Sequence, residues 1–155
     1  MREILICTFL FSVFFVKAQV SQSQSLKKVV PIPIDSLDKY FDEISQVDYI
    51  FHGMGMSMAV ENAEEAKANI AMLIPKSIEW TDCESIGKMY FLLADGRLLN
   101  TDLYHEGKCK FLIFLNENNK PAFGAELNER GQNLIEQVLS MRKTANPETN
   151  EPNKN

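Results

Sequence analysis

Reactive side chains are scarce in this chain: 155 residues contain two histidines and three cysteines. Imidazole bases near neutral pH can come only from His52 and His105. The motifs that gather nucleophiles, metals or phosphates are also missing. There is no G-x-S-x-G, no H-E-x-x-H, no G-x-x-x-x-G-K and no G-x-G-x-x-G, and Gly53-Met54-Gly55 is too short a fragment of the last to count. A basic surface is lacking as well. The formal net charge is −5, and the pair Lys27-Lys28 is no substitute for the clustered cations that neutralise a phosphate backbone, so nucleic acid is not an expected partner.

No apolar run reaches the roughly 18 to 20 residues that a membrane span needs. The longest, Ile4 to Val16, is bracketed by Arg2 and Lys17, and Val16-Lys17-Ala18 precedes Gln19 in the manner of a small-residue cleavage site. Residues 1–18 therefore read as a signal peptide that is cleaved, and the product as exported, to a periplasm or beyond the cell. Ile4-Leu5-Ile6-Cys7 has a faint lipobox look, but the cysteine lies at the start of the apolar run rather than after it. Removing Arg2, Lys17 and Glu3 takes the 16 basic and 21 acidic side chains to 14 and 20, a solvated acidic surface. The remainder suffices for one domain with a real core.

After cleavage the thiols are Cys83 and Cys109, with 25 residues between them. In an oxidising compartment an even pair invites a disulfide, worth about 3 kcal/mol on the chain-entropy estimate. Two separate buried thiols are the alternative, and spacing alone does not choose.

Residues 19–34 open with Ser and Gln and close in Pro31-Ile32-Pro33, a composition for a flexible, extended lead-in. Residues 144–155, rich in Asn, Pro, Glu and Lys, read as a disordered tail. Between them, residues 35–143 form a single domain. Leu37, Tyr40, Phe41, Ile44 and Val47 give a helix over Ser36 to Gln46, with Asp35 or Ser36 to cap it. Asp48 to Ala59 alternates as a strand, less securely in its second half because two glycines weaken it. Asn62 with Glu65 opens a second helix that Pro75 ends, and Asn128 caps a third carrying Leu134, Ile135, Val138 and Leu139.

Ser77 to Thr81 is a short strand. Lys88 to Ala94 and Cys109 to Leu115 are apolar on both faces, the mark of central strands, and Asp95-Gly96 signals a hairpin into Arg97 to Tyr104. Ala122 to Leu127 completes the set. The predicted fold is α+β, an antiparallel sheet of four to five strands with two to three helices packed mainly on one face.

The sharpest chemical pattern is His52-Gly53-Met54-Gly55-Met56-Ser57-Met58. On one strand, His52, Met54, Met56 and Met58 would project to the same side, and soft thioethers with an imidazole select Cu(I) or Ag(I), making copper the one cofactor suggested. The plainer reading makes the methionines adaptable core fillers. His105 and Cys109 are four apart, helical spacing for a nucleophile and its base, yet His105-Glu106-Gly107 reads as a turn. A zinc site from Cys83, His105 and Cys109 matches no common spacing. Asp95, Asp102 and Glu106 are expected to serve turns and solvation.

Leu37-Asp38-Lys39-Tyr40-Phe41, Val47-Asp48-Tyr49-Ile50-Phe51, Ser77 to Cys83 and Lys110 to Leu115 together resemble a family of small exported bacterial α+β proteins of unknown function, over roughly Ser36 to Leu139. That resemblance implies no activity and no site residues. Phe111 to Phe114, then Pro121-Ala122-Phe123-Gly124-Ala125 and an amphipathic helix, is similar to the end of propeptide-like inhibitors of streptopain-type cysteine proteases. That likeness implies a protein interface that blocks a protease cleft. Three functions follow as expectations: an exported, non-catalytic domain binding another protein or a small ligand; a periplasmic Cu(I)/Ag(I)-binding protein; and an inhibitor or immunity-type protein against a secreted enzyme.

Overall fold

The computed structural model describes residues 26–145, with side chains described as far as residue 141. The expected signal peptide and the first part of the lead-in lie outside the described residues, as does the chain beyond Ala145. Twelve elements follow one another: β1 (Lys27–Pro31), α1 (Ile34–Glu43), β2 (Ile44–Phe51), β3 (Met56–Val60), α2 (Ala63–Ile70), β4 (Leu73–Pro75), β5 (Ile78–Trp80), β6 (Gly87–Leu93), β7 (Leu98–Glu106), β8 (Cys109–Leu115), β9 (Pro121–Leu127) and α3 (Glu129–Ala145).

The strands form one mixed sheet in the order β3-β2-β6-β7-β8-β9-β1-β5, with β4 also paired to β9. Every pairing is antiparallel except β1 with β9. The expectation of four to five antiparallel strands is thereby corrected to nine strands in a mixed sheet, while the α+β class and the three helices stand. The extra strands have identifiable sources. Lys27–Pro31, inside the expected flexible lead-in, is hydrogen-bonded into the sheet; Asp48 to Ala59 is two strands with a turn between; and Leu73–Pro75 has left the second helix.

Local signals explain most boundaries. Asn62 Oδ1 accepts from the amides of Glu64 and Glu65 at 2.9 and 3.2 Å and starts α2. Asn128 Oδ1 accepts from Gly131 N at 3.0 Å and starts α3. α1 differs from expectation: neither Asp35 nor Ser36 caps it. Pro33 occupies the cap position, its carbonyl accepting from Ser36 N and Leu37 N. Ile44 then turns extended at φ −67°, ψ 134°, so the chain passes directly from α1 into β2.

Alternation sorts the side chains of the sheet into two cores. On one face, Val47, Tyr49, Phe91, Leu93, Leu112 and Phe114 meet Leu37 of α1, Ala66 and Ile70 of α2, and Ile135 and Val138 of α3. The buried Tyr49 hydroxyl donates to Asn69 Oδ1, and Asn69 Nδ2 donates to the Glu65 carbonyl at 2.9 Å, which fixes α2 over β2. On the other face, Tyr104, Phe111 and Ile113 meet Val29, Ile78 and Trp80. The Trp80 ring lies 6.1 Å from Tyr104 and 5.8 Å from Phe111, both tilted, and Tyr104 stacks on Phe111 at 4.7 Å. This second cover is the ribbon of β1 and β5. Among the described residues no helix is long and apolar enough to cross a membrane.

The ribbon lies close because β9 presents Gly124 beneath it. A Cβ there would sit 2.5 Å from Ile78 Cγ1 and 2.9 Å from Val29 Cγ2. Gly124→Ala should therefore cost about 1–3 kcal/mol by overpacking, read as a lowered urea midpoint at unchanged slope. A loss below about 0.5 kcal/mol would mean that the ribbon is not held against β9.

Candidate functional site

Among the described residues, the histidines and cysteines come together only as the pair Cys83 and Cys109. Cys83 and Cys109 form a disulfide with their Cα atoms 6.0 Å apart. It ties the chain just beyond β5 to the first residue of β8 and closes one margin of the Trp80 core. His105 is on β7, registered opposite Lys110, whereas Cys109 pairs with Glu106. Adjacent positions on a strand point to opposite faces, so His105 turns toward α3 while Cys109 joins the opposite core. A His105–Cys109 dyad and a Cys83–His105–Cys109 zinc site are thus not assembled.

The His105 ring is buried, with Nε2 3.9 Å from a carboxylate oxygen of Glu136 on α3. Lys110 Nζ shares that oxygen at 3.3 Å. Burial, aided by the Lys110 charge, holds the His105 pKa below the ordinary imidazole value against the weaker pull of Glu136.

The methionine pattern folds differently from the single strand expected. β2 ends at Phe51, and His52 to Gly55 reverse the chain with Gly53 at φ 65° and Gly55 at φ 59°. The glycines that weaken the strand in sequence are the residues that make this turn. His52 is exposed in the turn, Met54 is half-buried there, and only Met56 and Met58 share a strand face. That face is the helix side, because Met58 pairs with Tyr49 and Met56 with Phe51. The set His52, Met54, Met56 and Met58 therefore does not line one side of a strand, which corrects the geometric premise of the copper reading. The half-buried methionines pack against the helix-side core. Among the described residues no group of three or more His, Cys, Asp or Glu side chains is placed to hold a metal ion.

What the sheet leaves open is a surface rather than a catalytic cluster. The β1–β5 ribbon covers the second face only toward β8 and β9. Across β2, β6 and the first half of β7 the same face carries three cross-strand rows: Gln46–Leu92–Leu98, Asp48–Tyr90–Asn100 and Ile50–Lys88–Asp102. Most of these side chains are half-buried, with Ile50 46 % and Leu98 51 % exposed. Lys88 Nζ bonds Asp102 at 2.7 Å, flat along the sheet. At the margin Leu98, Asn100 and Leu115 help line a shallow cleft of ≈ 530 Å³ that continues into the Asn116 turn. Asn100 Oδ1 is buried there with no hydrogen-bond partner. The surface is therefore mixed, with a central tyrosine, aliphatic flanks and amide and charged groups between them.

Sequence reasoning missed this surface because Lys88 to Ala94 looks apolar throughout. The alternation of Met89, Phe91 and Leu93 with Lys88, Tyr90 and Leu92 was the available signal. A second cleft of ≈ 210 Å³ beside the disulfide is lined by Lys76, Glu79, Lys108 and Glu126 among others. Lys76 pairs with Glu126 at 2.8 Å, and Glu79 pairs with Lys28. No family model, no curated protein and no solved structure matches this chain.

Two outcomes follow. Because the folded pKa of His105 is depressed, the unfolded chain binds more protons once pH falls below the unfolded value near 6.5. Stability should thus decline on acidification, and His105→Gln should flatten the urea-midpoint profile between about pH 7 and 5, while a parallel profile would contradict a buried neutral imidazole. Replacing both cysteines by serine should remove about 3 kcal/mol, measured by denaturant unfolding against the oxidised chain.

Proposed function

We propose that this chain is an exported, non-catalytic interaction domain that holds a protein partner on the open face of its sheet. The observation that carries this reading is the uncovered set of rows centred on Tyr90. A large ring flanked by aliphatic groups and amides offers apolar contact area plus orienting hydrogen bonds, the composition of a protein-binding patch. The deployment of reactive groups supports the same view: Cys83 and Cys109 are joined to each other, His105 lies under α3, and His52 stands alone in a turn. A disulfide suits the oxidising compartment that the N-terminal sequence implies.

The partner would present an apolar, amide-rich surface with at least one cation for Asp48, a carboxylate that forms no ion pair among the described residues. A photo-reactive amino acid at Tyr90, introduced in the producing cell, should give a discrete protein adduct that Leu98→Asp suppresses. The same group at exposed Asp38 of α1, on the opposite, helix side of the sheet, should give none. Equal labelling at both positions, or no adduct at Tyr90, would overturn the assignment.

A further inference from the structure

The two ends of the sheet are finished in opposite ways. At one end β5 has only three residues, its Glu79 is paired with Lys28, and the disulfide follows directly. At the other end β3 is longer, carries no charge and no proline, and pairs only with β2. Among the described residues no backbone hydrogen bond outside the β2 ladder reaches Met56–Val60. An edge strand is ordinarily blunted by charge, proline or a bulge, because its free N–H and C=O groups form a template for another strand. β3 has none of the three.

We infer that β3 pairs antiparallel with β3 of a second copy of this chain, extending the sheet through a two-fold axis at Met58. That register is self-consistent. It places Met56 opposite Val60 and Met58 opposite itself, so half-buried, helix-side residues meet their own kind. On the other face it sets Ser57 opposite Ala59, two small exposed residues. Charge agrees: the nearest carboxylate, Glu61, falls opposite Gly55, so an acidic chain meets itself along a stretch with no like charges face to face. The exposed Ile50 lies beside Ser57 on β2 and would be partly covered by the incoming strand. A five-residue seam is small, so the dimer is weak and reversible.

The pairing of Ser57 with Ala59 gives a test of register as well as of association. In Ser57→Lys with Ala59→Lys, like charges oppose twice across the axis; in Ser57→Glu with Ala59→Lys, opposite charges meet twice. Within each copy the Ala59→Lys side chain faces Asp48 in both variants, so that cross-strand pair of the hairpin is treated alike. Sedimentation equilibrium on the full product as recovered from its host should give a monomer–dimer equilibrium. The dissociation constant should rise at least about tenfold in the double-lysine variant and stay within about threefold of native in the Glu/Lys variant. A native chain that stays monomeric up to about 1 mM overturns the proposal, as does a dimer indifferent to the double lysine or lost equally in both variants. Hydrogen exchange on the unmodified chain stands independently of how the variants fold. Amides of Met56–Val60 should gain protection as concentration rises, and concentration-independent exchange would overturn the seam.

Discussion

The architecture depends on the double-sided burial of β7 and β8. On β8, Leu112 and Phe114 enter the core beneath the helices while Phe111 and Ile113 enter the core beneath the β1–β5 ribbon. Four consecutive residues from Phe111 to Phe114 thus serve both layers, while the preceding Lys110 reaches outward to Glu136. A strand buried on both faces has no tolerant side, since a polar replacement at any of these apolar positions would leave a group unpaired in one core or the other. The rest of the fold follows from covering it: three helices on one face, and on the other a short ribbon admitted by the bare backbone of Gly124.

That cover is incomplete. The ribbon spans the sheet only from β7 to β9, and the neighbouring strands keep a face of intermediate character, neither core nor fully solvated. Lys88 and Asp102 neutralise each other across it, which lets the aliphatic and aromatic members of the rows stand at the surface without a strong local charge. The chain concentrates its covering elements over one half of the second face and leaves the other half as accessible sheet.

The elements with strong local punctuation were readable from sequence. Asn62 and Asn128 do cap helices, Asp95-Gly96 does lie in the β6–β7 connection with Gly96 at φ 84°, and the apolar run Cys109–Leu115 is an interior strand. What escaped was set by partners distant in the chain. Val29 reads as part of a lead-in until Ile78 is known to pair with it, and Leu73–Pro75 reads as the end of a helix until β9 offers a free edge. The methionine pattern failed for another reason. An every-second-residue spacing cannot distinguish a continuous strand from one folded back on itself, and the two glycines carried the deciding information through their left-handed backbone. The cysteine spacing permitted a bridge without requiring it, because reach is a property of the folded positions of residues 83 and 109.

The bridge also gives the molecule a mechanical asymmetry. The chain between its two ends is all of β6 and β7, the middle of the sheet, so tension applied at the termini runs from Cys83 to Cys109 through sulfur and bypasses those strands. With 26 residues of separation and about 3.5 Å of contour per residue, roughly 90 Å of chain is shielded from load until the disulfide is reduced. A tethered copy would stretch by peeling its outer strands while its central hairpin remained unloaded.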